Sequence, residues 1–378
     1  MKLQSLLVVA LAAFQISEAL PFEPLRILQI ADDTTITVLE SEKLSLKRSG
    51  MSFIDITNHI KFPFSHEKLV ANSIPRYNYP TEALNRKIVE SLTSQIDKDS
   101  MYNDLAEFTS FYTRYYKSEY GYQSAQWLEE RLLNVTSEAP KGLVTIEQFH
   151  HSEWKQYSII VKIKGSESPE NIIVMGSHQD SINLLLPSVL AAPGADDDGS
   201  GTVTNLEALR IYVEHYLKVG YVPKNTVEFH FYSAEEGGLL GSLDVFTKYA
   251  REQKRVVAML QQDMTGYVQD PEHEHVGVII DYVTKELTDF IKVIIDSYLL
   301  IPYVETQCGY ACSDHGSATK NGYPAAFVIE SDFKKTNKYI HSTMDTLDRL
   351  SFPHMAEHSK IVLGSIIELG DWEFLELP

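Results

Sequence analysis

Five short stretches of this chain carry residue types that bind metal ions and move protons. They are His178-Gln179-Asp180, Pro193-Gly194-Ala195-Asp196-Asp197-Asp198-Gly199-Ser200-Gly201, Ser233-Ala234-Glu235-Glu236-Gly237, Asp263 after Gln262, and Tyr339-Ile340-His341-Ser342. Imidazole nitrogen together with carboxylate oxygen is a donor mixture that borderline divalent cations such as zinc accept. A metal held this way acidifies its bound water, which amide hydrolysis near neutral pH requires. A carboxylate beside a ligand, but not itself one, can then take and return a proton. Taken singly, each stretch has an ordinary explanation. His-x-Asp is commonly a surface pair, three consecutive aspartates suit a solvated helix N-terminus favoured by the macrodipole, and Glu235-Glu236 is ordinary surface charge. Their common placement argues for chemistry.

That placement follows from the flanking elements. The spacing predicts strands over Tyr157 to Lys164, Asn171 to Ser177, Thr226 to Tyr232, Arg255 to Gln262, Val276 to Ile280 and Tyr323 to Ile329. The second is nearly all apolar and reads as buried on both faces. Helical spacing covers Thr81 to Ile96, Asn103 to Tyr115, Ser124 to Leu133, Gly201 to Lys218, Gly238 to Arg251, Thr284 to Leu299 and His354 to Leu369. The alternation predicts an α/β sandwich with a largely parallel central sheet, whose sites gather outside the carboxyl ends of the strands. The His, Asp and Glu residues above stand at such ends. Gly237-Gly238 allows a tight turn after Glu236. Upstream of Thr81 only short mixed elements are expected, with a strand at Ile36 to Leu39 and no catalytic constellation.

Composition narrows the partners. The chain has 378 residues, 44% of them apolar and 11% aromatic, which is enough for a substantial core. Its net charge of −19 argues against nucleic-acid and anionic-membrane partners, which want clustered Lys and Arg. Met1-Lys2, the apolar run Leu3 to Ile16 and Ser17-Glu18-Ala19 form the pattern of a secretory signal peptide cut after Ala19. Secretion would allow Cys308 and Cys312, the only cysteines, to be oxidised, and Gly309 gives the backbone freedom for a tight turn between them. Asn134-Val135-Thr136 is the one N-glycosylation sequon.

From Thr81 to its end the sequence resembles the secreted co-catalytic zinc aminopeptidases of the M28 metallopeptidase family, above all the fungal extracellular leucine aminopeptidases. The His-x-Asp, Pro-Gly-Ala-Asp-Asp-Asp, Glu-Glu-Gly, Gln-Asp-Met and Ile-His-Ser elements fall in family order, and Cys308-Gly309-Tyr310-Ala311-Cys312-Ser313-Asp314-His315 is a further specific match. The resemblance implies a three-layer sandwich of the zinc-exopeptidase type. It implies a signal peptide over 1–19, a propeptide over about 20–76 and a catalytic domain over 77–378. Two zinc ions per subunit are implied, one on His178 and Glu236, the other on Asp263 and His341, with Asp197 between them. Glu235 would be general base and acid, Asp180 would fix the tautomer of His178, and Tyr310 would sit near the developing oxyanion inside a Cys308–Cys312 bridge. The wall Tyr323 to Ile329 with Phe333 and Met264 would receive a leucine-like side chain, although core packing explains most of that strand equally well. The implied partners are peptides with a free N-terminus and the chain's own propeptide, with the enzyme a monomer and Asn134 a glycan site. Two rivals stay open on the same scaffold: a single-zinc glutaminyl cyclase, and a non-catalytic acidic binding protein.

Overall fold

The computed structural model describes residues 23–59 and 74–378, so the expected signal peptide lies outside the described residues. The N-terminal part forms β1 (Leu25–Ala31), β2 (Thr34–Leu39), α1 (Glu40–Arg48) and β3 (Ile54–Asp55). Its strands make a small antiparallel sheet in the order β2-β1-β3. A short strand, β4 (Arg76–Tyr77), then leads to three helices, α2 (Arg86–Thr93), α3 (Lys98–Phe108) and α4 (Glu119–Thr136).

The rest alternates. Strands β5 (Val144–Phe149), β6 (Ser158–Ile163) and β7 (Ser168–His178) precede α5 (Gly201–Tyr212). Then come β8 (Asn225–Tyr232), α6 (Leu240–Arg251), β9 (Arg255–Gln262), β10 (Val276–Ile279) and α7 (Lys285–Tyr298). Finally β11 (Tyr303–Thr306), α8 (His315–Lys320), β12 (Ala325–Ile329) and α9 (Phe352–Gly370) lead to β13 (Glu376–Leu377), which pairs with β4. Among the described residues β5 to β12 form one eight-stranded sheet in the order β11-β10-β12-β9-β7-β8-β6-β5. The inner strands β12, β9, β7 and β8 are mutually parallel, and antiparallel pairs lie toward the edges.

Alternation along β7 builds the layers. Ile173 and Met175 face a core shared with α4, α5, α7 and α9, while Ile172 and Val174 face one shared with α6 and α8. The inner strands are therefore buried on both faces over most of their length, as expected for covered parallel strands, with Glu228 and His230 of β8 pairing at 2.9 Å, whereas the edge strand β5 alternates between exposed and half-buried residues. The result is the expected three-layer α/β sandwich.

One helix starts and stops earlier than its spacing suggests. The side chain of Asp97 accepts from the backbone N–H groups of Asp99 and Ser100 and starts α3 at Lys98. That helix ends at Phe108, so Tyr112 to Tyr116 is a loop. The upstream region is also better ordered than expected, with α1 and β1 where only β2 was legible.

Candidate metal centre

The ligand candidates converge at one end of the sheet. His178 is the last residue of β7, Asp263 follows β9, and Glu235-Glu236 follow β8 by two residues. Pairing of Gly176 with Gln261 in the parallel β7–β9 ladder carries His178 and Asp263 forward side by side. Asp197 comes from the turn before α5, and His341 from the loop before α9.

Two groups of donor atoms result, His178–Asp197–Asp263 and Asp197–Glu236–His341, with the atoms of each group within 4.8 Å of one another. His178 Nε2 lies 3.1 Å from Asp197 Oδ1 and 3.7 Å from Asp263 Oδ2. His341 Nε2 lies 2.9 Å from Asp197 Oδ2 and 3.3 Å from Glu236 Oε2. The five expected ligands thus stand together with Asp197 shared. The expected partition among them is corrected: His178 goes with Asp263, its neighbour across the ladder, and Glu236 goes with His341.

The three consecutive aspartates are all buried, not solvated, and each has its own task. The carboxylate of Asp198 accepts from His178 N at 3.0 Å, Gly201 N at 2.9 Å and Met264 N at 3.2 Å, joining the ends of β7 and β9 to the start of α5. Asp196 accepts from Gly266 N and from the Asn337 amide, both at 3.0 Å. Only Asp197 faces the donor cluster, and its backbone N–H, like that of Asp196, donates to the carboxylate of Asp345 at 3.1 Å.

Asp180 differs from expectation in emphasis. Its carboxylate accepts from Glu235 N at 3.0 Å and Glu236 N at 3.3 Å, pinning the turn that carries the base candidate and a ligand candidate. The ring of His178 instead has Nδ1 3.1 Å from the main-chain carbonyl of Asp180, and 3.4 Å from its carboxylate. A carbonyl can only accept, so Nδ1 carries the proton and Nε2 turns toward the cluster. Residues in the left-handed region concentrate here: Ala234, Met264 and His341 have φ of 60°, 57° and 58°. Non-glycine residues held so are a feature of functional sites.

The donor set fits a bound metal. His178 Nε2, Glu236 Oε1 and Asp263 Oδ1 are buried without a hydrogen-bond partner, although buried polar atoms are normally satisfied. Burial alone would lower the pKa of His178 and His341, yet the facing carboxylates outweigh it and hold both rings toward the charged form. Burial would likewise raise Asp197, but His341 and His178 hold it well below the usual carboxylate range. The cluster attracts positive charge into its centre.

Glu235 is buried next to this cluster and outside both donor groups. Burial pushes its carboxyl well above the usual range, against the opposing pull of Lys47 and His178. Cys308 and Cys312 form the expected disulfide, with Cα atoms 6.0 Å apart, and Gly309 between them has φ +93°. Ser313, just beyond, donates to Asp263 Oδ2 at 2.6 Å. Tyr310 stacks edge-on against Tyr282 and packs beside Ile54 of the N-terminal sheet.

Of the expected apolar wall, Met264, Phe327 and Ile329 form a cluster with Cys308, Cys312 and Ile340. Ala326 and Val328 turn to the core on the other face, Tyr323 and Ala325 belong to the α6 side, and Phe333 is exposed. Asn134 is exposed near the end of α4.

Three site residues carry no motif and escaped the sequence reading. Arg114 is fully buried, with Nε donating to Gln179 O at 2.8 Å, Nη2 to Gly194 O at 2.7 Å and Nη1 to Pro193 O. It ties the loop after His178 to the loop before Asp197, and burial lowers its pKa to about 10. Asp345 is the second, and Lys47 the third. The ammonium of Lys47, from α1, lies 2.7 Å from Glu236 Oε2 and 3.8 Å from Glu235 Oε2. Burial would lower its pKa, but Glu236 and Glu235 outweigh that and raise it.

Residues 158–366 match the model of peptidase family M28, a span holding all five ligand candidates and Glu235. The chain belongs to peptidase family M28. It is 64% identical over 372 residues to a probable aminopeptidase of Saccharomyces cerevisiae, covering 98% of this chain and 99% of that one. It is 50% identical over 350 residues to leucine aminopeptidase 1 of Penicillium rubens, covering 91% and 89%. Its fold is similar to the crystal structure of the LapA aminopeptidase of Legionella pneumophila, with a TM-score of 0.79, 28% identity and coverage of 92% and 94%. The chain is a hydrolytic metallo-exopeptidase of the aminopeptidase kind. No helix among the described residues is long and apolar enough to cross a membrane.

Proposed function

We propose that this chain is a secreted aminopeptidase with two zinc ions that removes leucine or another large hydrophobic residue from the N-terminus of peptides. The observation that carries this reading is the pair of three-residue donor groups sharing Asp197. His178 and Asp263 would hold one ion and Glu236 and His341 the other, with Asp197 between them. Zinc there would supply an acidified water and a Lewis acid for the scissile carbonyl. A single-zinc glutaminyl cyclase would have no use for the second donor group.

The chain's own groups do the rest. Glu235 takes the proton from the attacking water and returns it to the leaving amine, a role suited to a carboxyl whose proton affinity is raised by burial. Asp180 holds the Glu235-Glu236 turn in place. The hydroxyl of Tyr310 supports the oxyanion, and the disulfide limits the freedom of its loop. The cluster of Met264, Phe327, Ile329 and Ile340 adjoins Asp263 and His341 in the chain and supports a preference for apolar first residues.

The segment 20–76 acts as a propeptide that leaves during maturation, after the signal 1–19 is removed. It meets the rest of the chain through ion pairs, with Arg26 on Glu153 at 2.8 Å, Glu40 on Lys117 at 2.6 Å and His59 on Asp244 at 2.8 Å, and through an apolar cluster of Ile54 with Leu239, Leu243 and Ala311. The mature enzyme works as a monomer with a glycan on Asn134, on peptides with no nucleic-acid or membrane partner. The test is release of leucine from leucine amide and from its N-acetyl derivative. Cleavage of the free amine alone is expected, and equal cleavage of both would overturn the exopeptidase reading.

A further inference from the structure

Lys47 stands where a positive charge matters most. It is in the last turn of α1, which has Glu40 and Glu42 in its first turn and Lys47 and Arg48 in its last, the charge order that suits a helix dipole. Its position is fixed from several sides. Lys43, one turn back, pairs with buried Asp55 at 2.6 Å, and Arg48 donates to the carbonyls of Leu184 and Leu185, each at 2.6 Å. The Lys47 side chain is only 16% exposed. Glu236 Oε2, which receives its ammonium, also faces His341 Nε2 at 3.3 Å. An ion held by Glu236 and His341 would therefore bring two positive charges to one buried carboxylate, where their repulsion is less screened than at the surface. Among the described residues the ion pairs of Lys47 are with Glu236 and Glu235, not with His178 or Asp263, so that side of the cluster would be spared.

We propose that Lys47 is a placeholder cation, neutralising the metal-ligating carboxylates while the N-terminal segment is docked, so that metal on the Glu236–His341 side and α1 in the cleft exclude one another. This rests on the two-metal reading of the site. By linkage, whatever factor docked Lys47 takes from that ion's affinity, the ion takes from the docking of α1. In the intact chain the His178–Asp263 side fills first, and filling of the second side loosens α1. The docked segment thereby couples metal loading to its own release.

The test uses the full uncleaved chain, wild type and Lys47→Met, titrated with zinc against a chelating indicator, and hydrogen exchange of residues 40–48 followed in the wild type with and without zinc. In Lys47→Met one of the two zinc ions is expected to bind at least tenfold tighter and the other within twofold of wild type. Zinc is expected to speed exchange across residues 40–48 of the wild type by tenfold or more. Two zinc affinities unmoved by Lys47→Met, together with unchanged exchange over 40–48, would overturn the placeholder role while leaving the two-metal site intact. Binding of a single zinc by both proteins would instead overturn the two-metal reading, and the placeholder with it. Should Lys47→Met fold poorly, the exchange measurement on the wild type decides alone.

Discussion

Asp180→Asn separates two roles that one carboxylate could play. In the structure its oxygens accept from Glu235 N at 3.0 Å and Glu236 N at 3.3 Å, whereas His178 Nδ1 is closer to the Asp180 carbonyl than to the carboxylate. An asparagine presents one acceptor oxygen and one NH2, so it can satisfy only one of the two N–H groups, and its amide nitrogen opposes the other. Leaving a buried N–H unsatisfied costs about 1–3 kcal/mol. If that cost appears in the geometry of the Glu236 turn, the affinity of the ion held by Glu236 and His341 should fall by roughly 5–150-fold. The ion held by His178 and Asp263 should change little, because the carbonyl that orients His178 is untouched. Zinc competition titration of purified Asp180→Asn, resolving both affinities, is the assay. A loss confined to the tighter association with His178 and Asp263, or no loss at either, would refute this assignment of the Asp180 carboxylate to the turn.

Glu235→Gln is expected to lower kcat by on the order of 10³-fold with both metals retained, since general acid–base help alone is worth about 10²–10⁴; steady-state kinetics with metal analysis checks this, and near-normal turnover would exclude Glu235 as the base. His315 is buried with neither ring nitrogen partnered, and desolvation lowers its pKa from 6.5 to about 3. The unfolded chain therefore takes up a proton below pH 6.5 that the native state refuses, so stability is lost as pH falls, by about 2 kcal/mol between pH 6.5 and 5. Urea unfolding of His315→Leu should show an acid limb flatter by about that amount, and an unchanged slope would count against the buried neutral ring. The Cys308–Cys312 bridge closes so short a loop that it removes only roughly 2 kcal/mol of unfolded-state entropy. The double change to serine should consequently lower kcat/KM more than its effect on Tm suggests, with Tyr310→Phe reproducing much of the loss; a lower Tm with full activity at 25 °C would make the bridge a structural staple only.

The inner strands were legible because a covered parallel strand is rich in apolar residues, and the edges of β9 came out residue for residue. His178, Asp263 and Glu235-Glu236 were legible for the same reason, since they stand at or just past the end of a strand, whereas Asp197 and His341 lie in the turn before α5 and the loop before α9. How the ligands group was not legible: the expected pairing of His178 with Glu236 came from the resemblance, and β7 is flanked by β8 as well as by β9, so strand order alone does not decide it. The side-chain positions do, with His178 Nε2 3.7 Å from Asp263 Oδ2 and His341 Nε2 3.3 Å from Glu236 Oε2. The roles of Asp196 and Asp198 were hidden by their neighbour, as three identical residues in a row give no clue to which way each turns. Arg114 and Lys47 escaped for a different reason. Neither belongs to a motif, and only the tertiary fold delivers each to carbonyls or carboxylates far away in the chain. The apolar wall was overestimated because a strand shows alternate residues to each face, leaving Phe327 and Ile329 toward the site and Ala326 and Val328 toward the core.

The claim on which the mechanism depends is that five side chains make two adjoining metal sites through Asp197. Crystals of the zinc-loaded protein, measured with anomalous scattering on either side of the zinc edge, test it directly. Two peaks are expected, one bounded by His178, Asp197 and Asp263 and the other by Asp197, Glu236 and His341; a single peak, or zinc bound away from Asp197, would contradict it.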